Sequence, residues 1–326
     1  MALDRYGRRI HYLRISVTDH CNLRCIYCMP EEMVFRPTAE LMQDDEILRL
    51  VRIFAQLGFD KYRLTGGEPT VRAGIISLVK SISQTPGVKS VTMTSNGVLF
   101  SRLAGDLVEA GLKRVNFSLD TLDREKFKRL TRWGSLEEVW QGIEAAERVG
   151  LTPIKINVVV VRNYNEDDIV PLARLTLNRP WQVRFIEMMP FGGKTEFQRS
   201  NVVTSGEVQA RIEKELGALM PVNGGKLEGE ARLYQIGGAK GTLGFISTVS
   251  QPFCSSCSRV RLTADGRLRL CLLHDKEIDL LTPIRQGAAD IDMAELIKGA
   301  IWDKPWGNQL AQGKIPVNRA MSQIGG

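Results

Sequence analysis

The sequence predicts an α/β fold: a partial (β/α)6 barrel of TIM type followed by a smaller α+β region. Three observations carry that expectation. Short β-branched runs alternate with helix-period segments through the first part of the chain, the pattern changes after about Pro190, and each part holds one trio of cysteines.

Candidate strands run in order over Tyr12–Val17, Lys61–Thr65, Ser90–Thr94, Arg114–Leu119, Ile154–Val160 and Gln182–Glu187. Between them, Asp44–Leu57, Ile75–Ser83, Arg102–Ala110, Ser135–Val149 and Glu166–Leu177 carry apolar residues three and four apart, the spacing of a helix with one buried face. Six β/α units fall two short of a closed barrel, and functional residues are expected at the carboxyl ends of the strands. Phe191-Gly192-Gly193 opens a loop, Ser205–Leu216 reads as one more helix, and Asn223-Gly224-Gly225 breaks the chain. Short strands follow at Leu233–Ile236, Leu243–Thr248, Arg259–Thr263 and Leu268–Leu270, with helical stretches from Asp279 and Met293. The expected division is residues 1–228 for the barrel-like part and 229–326 for the region with the second trio and the terminal Gly325-Gly326.

With 326 residues, 43% of them hydrophobic and 25% charged, the chain is an ordinary globular one, long enough to bury a sizeable core. The polar start and the lack of a long apolar run give no support to secretion or a membrane span, so the cytoplasm is the expected compartment. Thiols stay reduced there, and closely spaced cysteines then suggest metal or catalytic sites rather than disulfides. A net charge of +7 suits an anionic small molecule. With no long Lys/Arg run, RNA-binding aromatic motif or zinc-finger helix, nucleic acid is not an expected partner.

The first trio, Cys21-x3-Cys25-x2-Cys28, follows directly on the first strand; the second is Cys254-x2-Cys257-x13-Cys271, and no cysteine is left over. Each is one ligand short of a closed tetrahedral site. Three thiolates hold a [4Fe–4S] cluster while leaving one iron open to a small molecule, whereas a cluster that only carries electrons normally takes four. Structural zinc is the competing reading, with His20 as nearest fourth ligand at the first trio and His274 at the second. Spacing alone favours iron–sulfur at the first trio and zinc at the second.

Neighbouring residues shift both. Cys21-Asn22-Leu23-Arg24-Cys25-Ile26-Tyr27-Cys28, together with Gly66-Gly67-Glu68-Pro69 after the second strand, resembles the radical S-adenosylmethionine superfamily. That resemblance implies a first [4Fe–4S] cluster on Cys21, Cys25 and Cys28, with S-adenosylmethionine on its open iron. Gly67 is then expected beside the amino group, Tyr27 near the adenine, Ser118 near the ribose, and Met189 along the same site. On its own Met189 reads equally well as a loop or core methionine.

The block Phe253-Cys254-Ser255-Ser256-Cys257-Ser258-Arg259-Val260-Arg261-Leu262-Thr263-Ala264-Asp265-Gly266 is similar to the carboxyl-terminal motif of the GTP 3′,8-cyclase family of molybdenum cofactor biosynthesis. Similarity extends along the chain, through Tyr12–Asp19, Arg63–Pro69, Asn116–Asp120, Lys155–Asn157, Arg184–Glu187 and Ile324-Gly325-Gly326. Ser258 stands where that family usually has Asn, and Ser95 where a second Thr is common. The resemblance implies a second [4Fe–4S] cluster on Cys254, Cys257 and Cys271, with GTP on its open iron. Arg14, Arg63, Thr94, Lys155, Arg259, Val260 and Arg261 match positions that contact GTP, and Gly325 and Gly326 a tail that reaches the site. Guanidinium and ammonium groups suit triphosphate and purine acceptors.

The reaction so implied is cleavage of S-adenosylmethionine after one-electron reduction. The 5′-deoxyadenosyl radical takes hydrogen from C3′ of GTP, and C3′ then bonds to C8, with Arg259 and Arg261 tying GTP orientation to the second cluster. An electron donor, a homodimer and a cyclic pyranopterin monophosphate synthase downstream belong to the same expectation. Gly193-Lys194-Thr195 invites a phosphate-loop reading, but Met188 occupies the position where that motif needs glycine. The rivals are a peptide-modifying radical enzyme with an auxiliary cluster, which usually needs more cysteines, and a non-catalytic iron–sulfur or zinc protein.

Overall fold

The computed structural model describes residues 2–191 and 200–325. The Gly192-Gly193 part of the expected loop, Gly193-Lys194-Thr195 and the final Gly326 lie outside the described residues. Six strands, β1 (Tyr12–Ser16), β2 (Lys61–Thr65), β3 (Ser90–Ser95), β4 (Leu112–Ser118), β5 (Lys155–Val160) and β6 (Gln182–Glu187), stand side by side in chain order. Every neighbouring pair among them is parallel. Helices α1 (Asp44–Gln56), α2 (Ile75–Ser83), α3 (Ala104–Glu109), α4 (Arg124–Thr131), α5 (Leu136–Arg148) and α6 (Ile169–Asn178) lie in the connections between strands.

The strands expected from the sequence are all present, with ends moved by a residue or two. Helix α4 was not foreseen. Only Phe127, Leu130 and Thr131 of its eight residues are buried, too few to make a visible apolar period. Its start is fixed instead by Asp123, whose carboxylate accepts from Lys126 N at 2.8 Å.

The later chain does not form a separate sheet. After α7 (Ser205–Leu216) come β7 (Leu219–Pro221), β8 (Leu227–Glu228), β9 (Ala231–Ile236) and β10 (Thr242–Ile246). Strand β10 joins the free side of β6 in parallel, with β9 and β7 antiparallel beyond it and β8 paired to β9. Strand β11 (Arg259–Leu262) joins the free side of β1, again in parallel, and β12 (Arg267–Arg269) and β13 (Glu277–Asp279) continue outward. The sheet therefore runs as an open path whose ends are not hydrogen-bonded to each other. Residues 247–258, which carry Cys254 and Cys257, lead from one edge of the parallel array to the other. Helices α8 (Leu281–Arg285) and α9 (Asp290–Trp302) complete the fold, α9 packing on α1.

Side chains alternate sharply across this sheet. Leu13, Ile15, Leu64, Met93, Val115, Phe117, Ile156 and Val183 are completely or almost completely buried and belong to the main core. The alternating partners, Arg14, Arg63, Thr94, Asn116, Lys155 and Arg184, are polar or charged. A fully packed barrel fills its interior with branched apolar residues. Here the second face is polar, so the hydrophobic core lies between sheet and helices and the inner face is left for a site.

The core tolerates little extra volume where α5 meets the turn after β3. A Cβ at Gly142 would stand 2.3 Å from Gly97 O, a backbone atom that cannot swing aside. Gly142→Ala is expected to destabilise the fold by about 1–3 kcal/mol through overpacking, read as a lower denaturant midpoint. An unchanged midpoint would show that the approach is looser than described.

Candidate functional site

The carboxyl ends of the strands open on a cavity of about 300 Å³, a size at the lower end for ligand pockets. All six cysteines line it, with Tyr27, Gly67, Ser118, Met189, Arg14, Thr94, Arg259, Val260 and Arg261. Arg63 and Lys155 are buried but not part of the lining. Arg63 acts from behind the wall: its guanidinium donates to Tyr12 Oη, to Thr94 Oγ1 at 3.2 Å and to Met93 O at 3.2 Å. Lys155 Nζ donates to Glu228 at 3.0 Å.

The first trio sits on the loop after β1, clamped by the loop after β2. Gly67 N donates to Thr18 O and Glu68 N to His20 O, each at 2.8 Å. A Cβ on Gly67 would fall 2.2 Å from His20 O, so a side chain there would push the two loops apart. Glu68 is 1% exposed and ties these loops to the end of β3. Its carboxylate accepts from Thr70 Oγ1 at 2.6 Å, Ser95 Oγ at 2.8 Å and Asn96 N at 2.6 Å. Ser95 thus supplies the hydroxyl that a threonine would. Asn96 Nδ2 completes the link, reaching Asn22 Oδ1 at 2.8 Å and Cys21 Sγ at 3.8 Å. On the other side Tyr27 Oη donates to Asp120 at 2.6 Å.

None of the six cysteines is in a disulfide, and all are half-buried. Burial pushes Cys21 up to about 11 and Cys25 well above the ordinary thiol range, so metal binding there must displace protons. Cys257 behaves differently. Burial acts to raise it, but Lys304, Arg259 and Arg8 together bring it below its usual value. Arg8 braces this region, donating to Cys254 O at 2.7 Å, Trp306 O at 2.8 Å and Pro305 O at 2.7 Å.

Among the described residues no three His, Cys, Asp or Glu side chains gather closely enough to hold a single metal ion. Three thiolates facing one cavity suit a cluster that takes one thiolate per iron. The histidines weighed as fourth zinc ligands make other contacts. His20 stacks on Phe35 at 4.5 Å and contacts Asp19 Oδ1 at 3.0 Å. His274 Nε2 is 2.9 Å from Gly307 O, and neither histidine lines the cavity.

Cations are ordered by the strand register. Arg63 on β2 is opposite Arg14 on β1, Arg14 opposite Arg261 on β11, and Arg261 opposite Arg269 on β12. Directly paired residues share a sheet face, so four guanidiniums form one row. Arg184 joins from β6. With its amide oxygen turned inward, Asn116 accepts from Arg63 Nη1 at 2.8 Å and Arg184 Nη2 at 2.6 Å. Burial, opposed by Glu230 but reinforced by Arg63 and Arg14, brings Arg184 down to about 10. Arg184 Nε and Arg259 Nε are buried with no hydrogen-bond partner among the described residues. An oxygen-rich anionic ligand would satisfy both.

The carboxyl-terminal tail reaches this row. Arg261 Nη1 donates to Gly325 O at 2.7 Å. A Cβ on Gly325, whose φ is +75°, would fall 2.4 Å from Thr65 Oγ1. Ile324 is fully buried and packs in a small cluster with Phe191 and Leu273, against which Met189 and Cys271 also pack. Arg319 anchors the preceding segment through Asp265 at 2.9 and 2.8 Å and Glu277 at 2.7 Å.

The sequence reading missed Glu230, Asp120, Arg184 and Lys304 as site residues, all of which line the cavity. Arg184 and Asp120 stood inside recognised segments, Arg184–Glu187 and Asn116–Asp120, and inward alternation could have found Arg184. Glu230 and Lys304 carry no local signal.

Two family models match the chain. Residues 15–176 match the family model of the Radical SAM superfamily, and residues 181–310 that of Molybdenum Cofactor Synthesis C. A protein of Pelotomaculum thermopropionicum named GTP 3′,8-cyclase is 47% identical over 324 residues, 99% of each chain. The chain belongs to the GTP 3′,8-cyclase family. Relatives of the same name from Thermodesulfovibrio yellowstonii and Heliobacterium modesticaldum are 45% and 46% identical, each match covering 99% of this chain and 99% and 100% of the relative. Streptococcus suis SuiB bound to S-adenosylmethionine has a similar fold, with a TM-score of 0.61 at 14% identity, covering 90% of this chain and 68% of that one.

Asp120 gives a pH test of the site. Burial raises its carboxyl to about 6 even though Tyr27 Oη and Val159 N donate to it. Because the folded value lies above the unfolded one near 3.9, stability is lost as pH rises through that interval, by about 2–3 kcal/mol in all. The difference in unfolding free energy between metal-free wild type and Asp120→Asn should shift by that amount between pH 4 and 7. A flat difference would mean that Asp120 titrates normally.

Proposed function

We propose that Cys21, Cys25 and Cys28 hold a [4Fe–4S] cluster that binds S-adenosylmethionine, and that Cys254, Cys257 and Cys271 hold a second that receives GTP. The chain then converts GTP to 3′,8-cyclo-7,8-dihydro-GTP, the first step of molybdenum cofactor biosynthesis. The carrying observation is that both trios and three arginines of the row, Arg14, Arg261 and Arg269, open on one cavity, with Arg63 next in the row behind its wall. A reactive cofactor and an anionic substrate are thereby held together.

When bound and reduced, the first cluster with S-adenosylmethionine supplies the carbon radical that removes hydrogen from C3′ of GTP. The protein provides position, charge balance and shelter from water. In this reading Tyr27, Gly67, Ser118 and Met189 line the S-adenosylmethionine side. Arg14, Arg259 and Arg261, backed by Arg63, Thr94 and Lys155, hold the nucleotide, and Val260 keeps the register between Arg259 and Arg261. Gly325 closes the space against Arg261, and Gly326 belongs to the same proposed tail. We further assign an electron donor, a homodimer, a cytoplasmic setting and a downstream cyclic pyranopterin monophosphate synthase, with residues 1–228 and 229–326 as working halves.

Anaerobic reconstitution tests the reading. About eight irons and no zinc are expected per chain, and GTP with S-adenosylmethionine and a reductant should give 5′-deoxyadenosine, methionine and the cyclised nucleotide. About four irons with bound zinc would overturn the two-cluster assignment.

Removal of Gly325 and Gly326 tests the tail. Cyclisation should be abolished while the iron count holds, since neither residue is a thiolate ligand. Full GTP turnover by the shortened protein would refute a role for the tail in the site.

A further inference from the structure

The cations assigned to GTP are not bare. Strand β8 meets β9 through a two-residue turn, Gly229-Glu230, with Glu228 opposite Ala231 and Gly229 at φ +67°. Glu230 in this turn and Glu228 at the end of β8 both reach the nucleotide wall. Glu230 Oε1 accepts from Arg14 Nη2 at 2.5 Å and also from Arg259 Nη1. Glu228 Oε1 accepts from Lys155 Nζ at 3.0 Å. One short hairpin therefore engages three of the cations that match GTP contacts.

Glu230 is the deeper of the two, its side chain 14% exposed against 50% for Glu228. Burial alone would favour its neutral form, but Arg259, Arg14, Arg184 and Arg63 hold it far to the ionised side. Buried guanidiniums without a counter-charge are costly, and a carboxylate among them offsets that cost. A triphosphate needs the same guanidiniums. It cannot share all of them with Glu230 without bringing like charges together.

We propose that Glu228 and Glu230 are affinity-setting residues of the nucleotide site, a built-in anion that stands in for the triphosphate and is displaced when GTP binds. The inference rests on the GTP reading above. The hairpin is suited to movement, because β8 is two residues long and pairs only with β9 among the described strands. Its carboxylates keep Arg14, Arg259 and Lys155 extended toward the site before substrate arrives, and their release is a penalty subtracted from GTP affinity.

The test uses the anaerobically reconstituted full-length protein at constant ionic strength, with GTP, inorganic tripolyphosphate and guanosine as probes. Glu230→Gln should tighten GTP and tripolyphosphate by about tenfold or more and leave guanosine within about twofold. Glu228→Gln should move both anions in the same direction by less. Hydrogen exchange of residues 226–232 in the wild type should speed up when GTP binds, which a purely long-range charge effect would not cause. Weaker GTP binding by Glu230→Gln, equal tightening of all three probes, or protection of the hairpin by GTP would each overturn the proposal. Weakened guanosine binding would instead make Glu230 a ligand of the base. If Glu230→Gln fails to take up iron, Glu228→Gln and the wild-type exchange decide. Wild type that binds no nucleotide would remove the GTP reading itself, whereas GTP binding with an unmoved hairpin removes this inference alone.

Discussion

Like charges held in one row are the constraint around which this molecule is arranged. Arg63, Arg14, Arg261 and Arg269 are fixed opposite one another by parallel and antiparallel register, so none can leave without breaking the sheet. Each has its own partner, a carboxylate for two of them and neutral oxygens for the others. Arg14 faces Glu230, Arg269 faces Glu277, Arg63 is shared between Tyr12 and Asn116, and Arg261 meets the carbonyl of Gly325. Tyr12 records the local field. Burial would raise its phenol, yet Arg63 and Arg14 bring it down to about 8.

Such a row is affordable only because the apolar work is done on the opposite face. Ile15, Leu64, Phe117 and Ile156 are fully or almost fully buried in the core between sheet and helices. Stability and chemistry are thus assigned to alternate residues of the same strands. Glu68 serves a third purpose, joining the ends of β2 and β3 so that the cysteine loop above them has a rigid floor.

Much of this was legible in the sequence. Lys61–Thr65 alternates polar and apolar residues and Gln182–Glu187 carries Val183, Phe185 and Ile186, and the cysteine loop and Gly-Gly-Glu-Pro are local motifs at strand ends. Helix α4 escaped because its buried face is too small to impose a period. The joining of β10 to β6 and of β11 to β1 escaped for another reason, since pairing of distant segments leaves no trace in either segment alone. Glu230 and Lys304 belong to the same class, ordinary charged residues made significant by what the fold brings beside them. Arg14 and Arg63 were singled out by resemblance, while their common row needed the register to be seen.

The path of residues 247–258, from the edge formed by β10 to the edge formed by β11, has a consequence for synthesis on the ribosome. Strand β1 is made well before its second neighbour, β11, and the tail that meets Arg261 is made later than both. The first cysteine loop therefore exists well before the wall that surrounds its cavity. Late, non-local pairing of this kind slows folding. It also means that a chain still without β11 and β12 has neither Arg261 nor Arg269 beside Arg14, so the cavity is enclosed only once these later strands have been made.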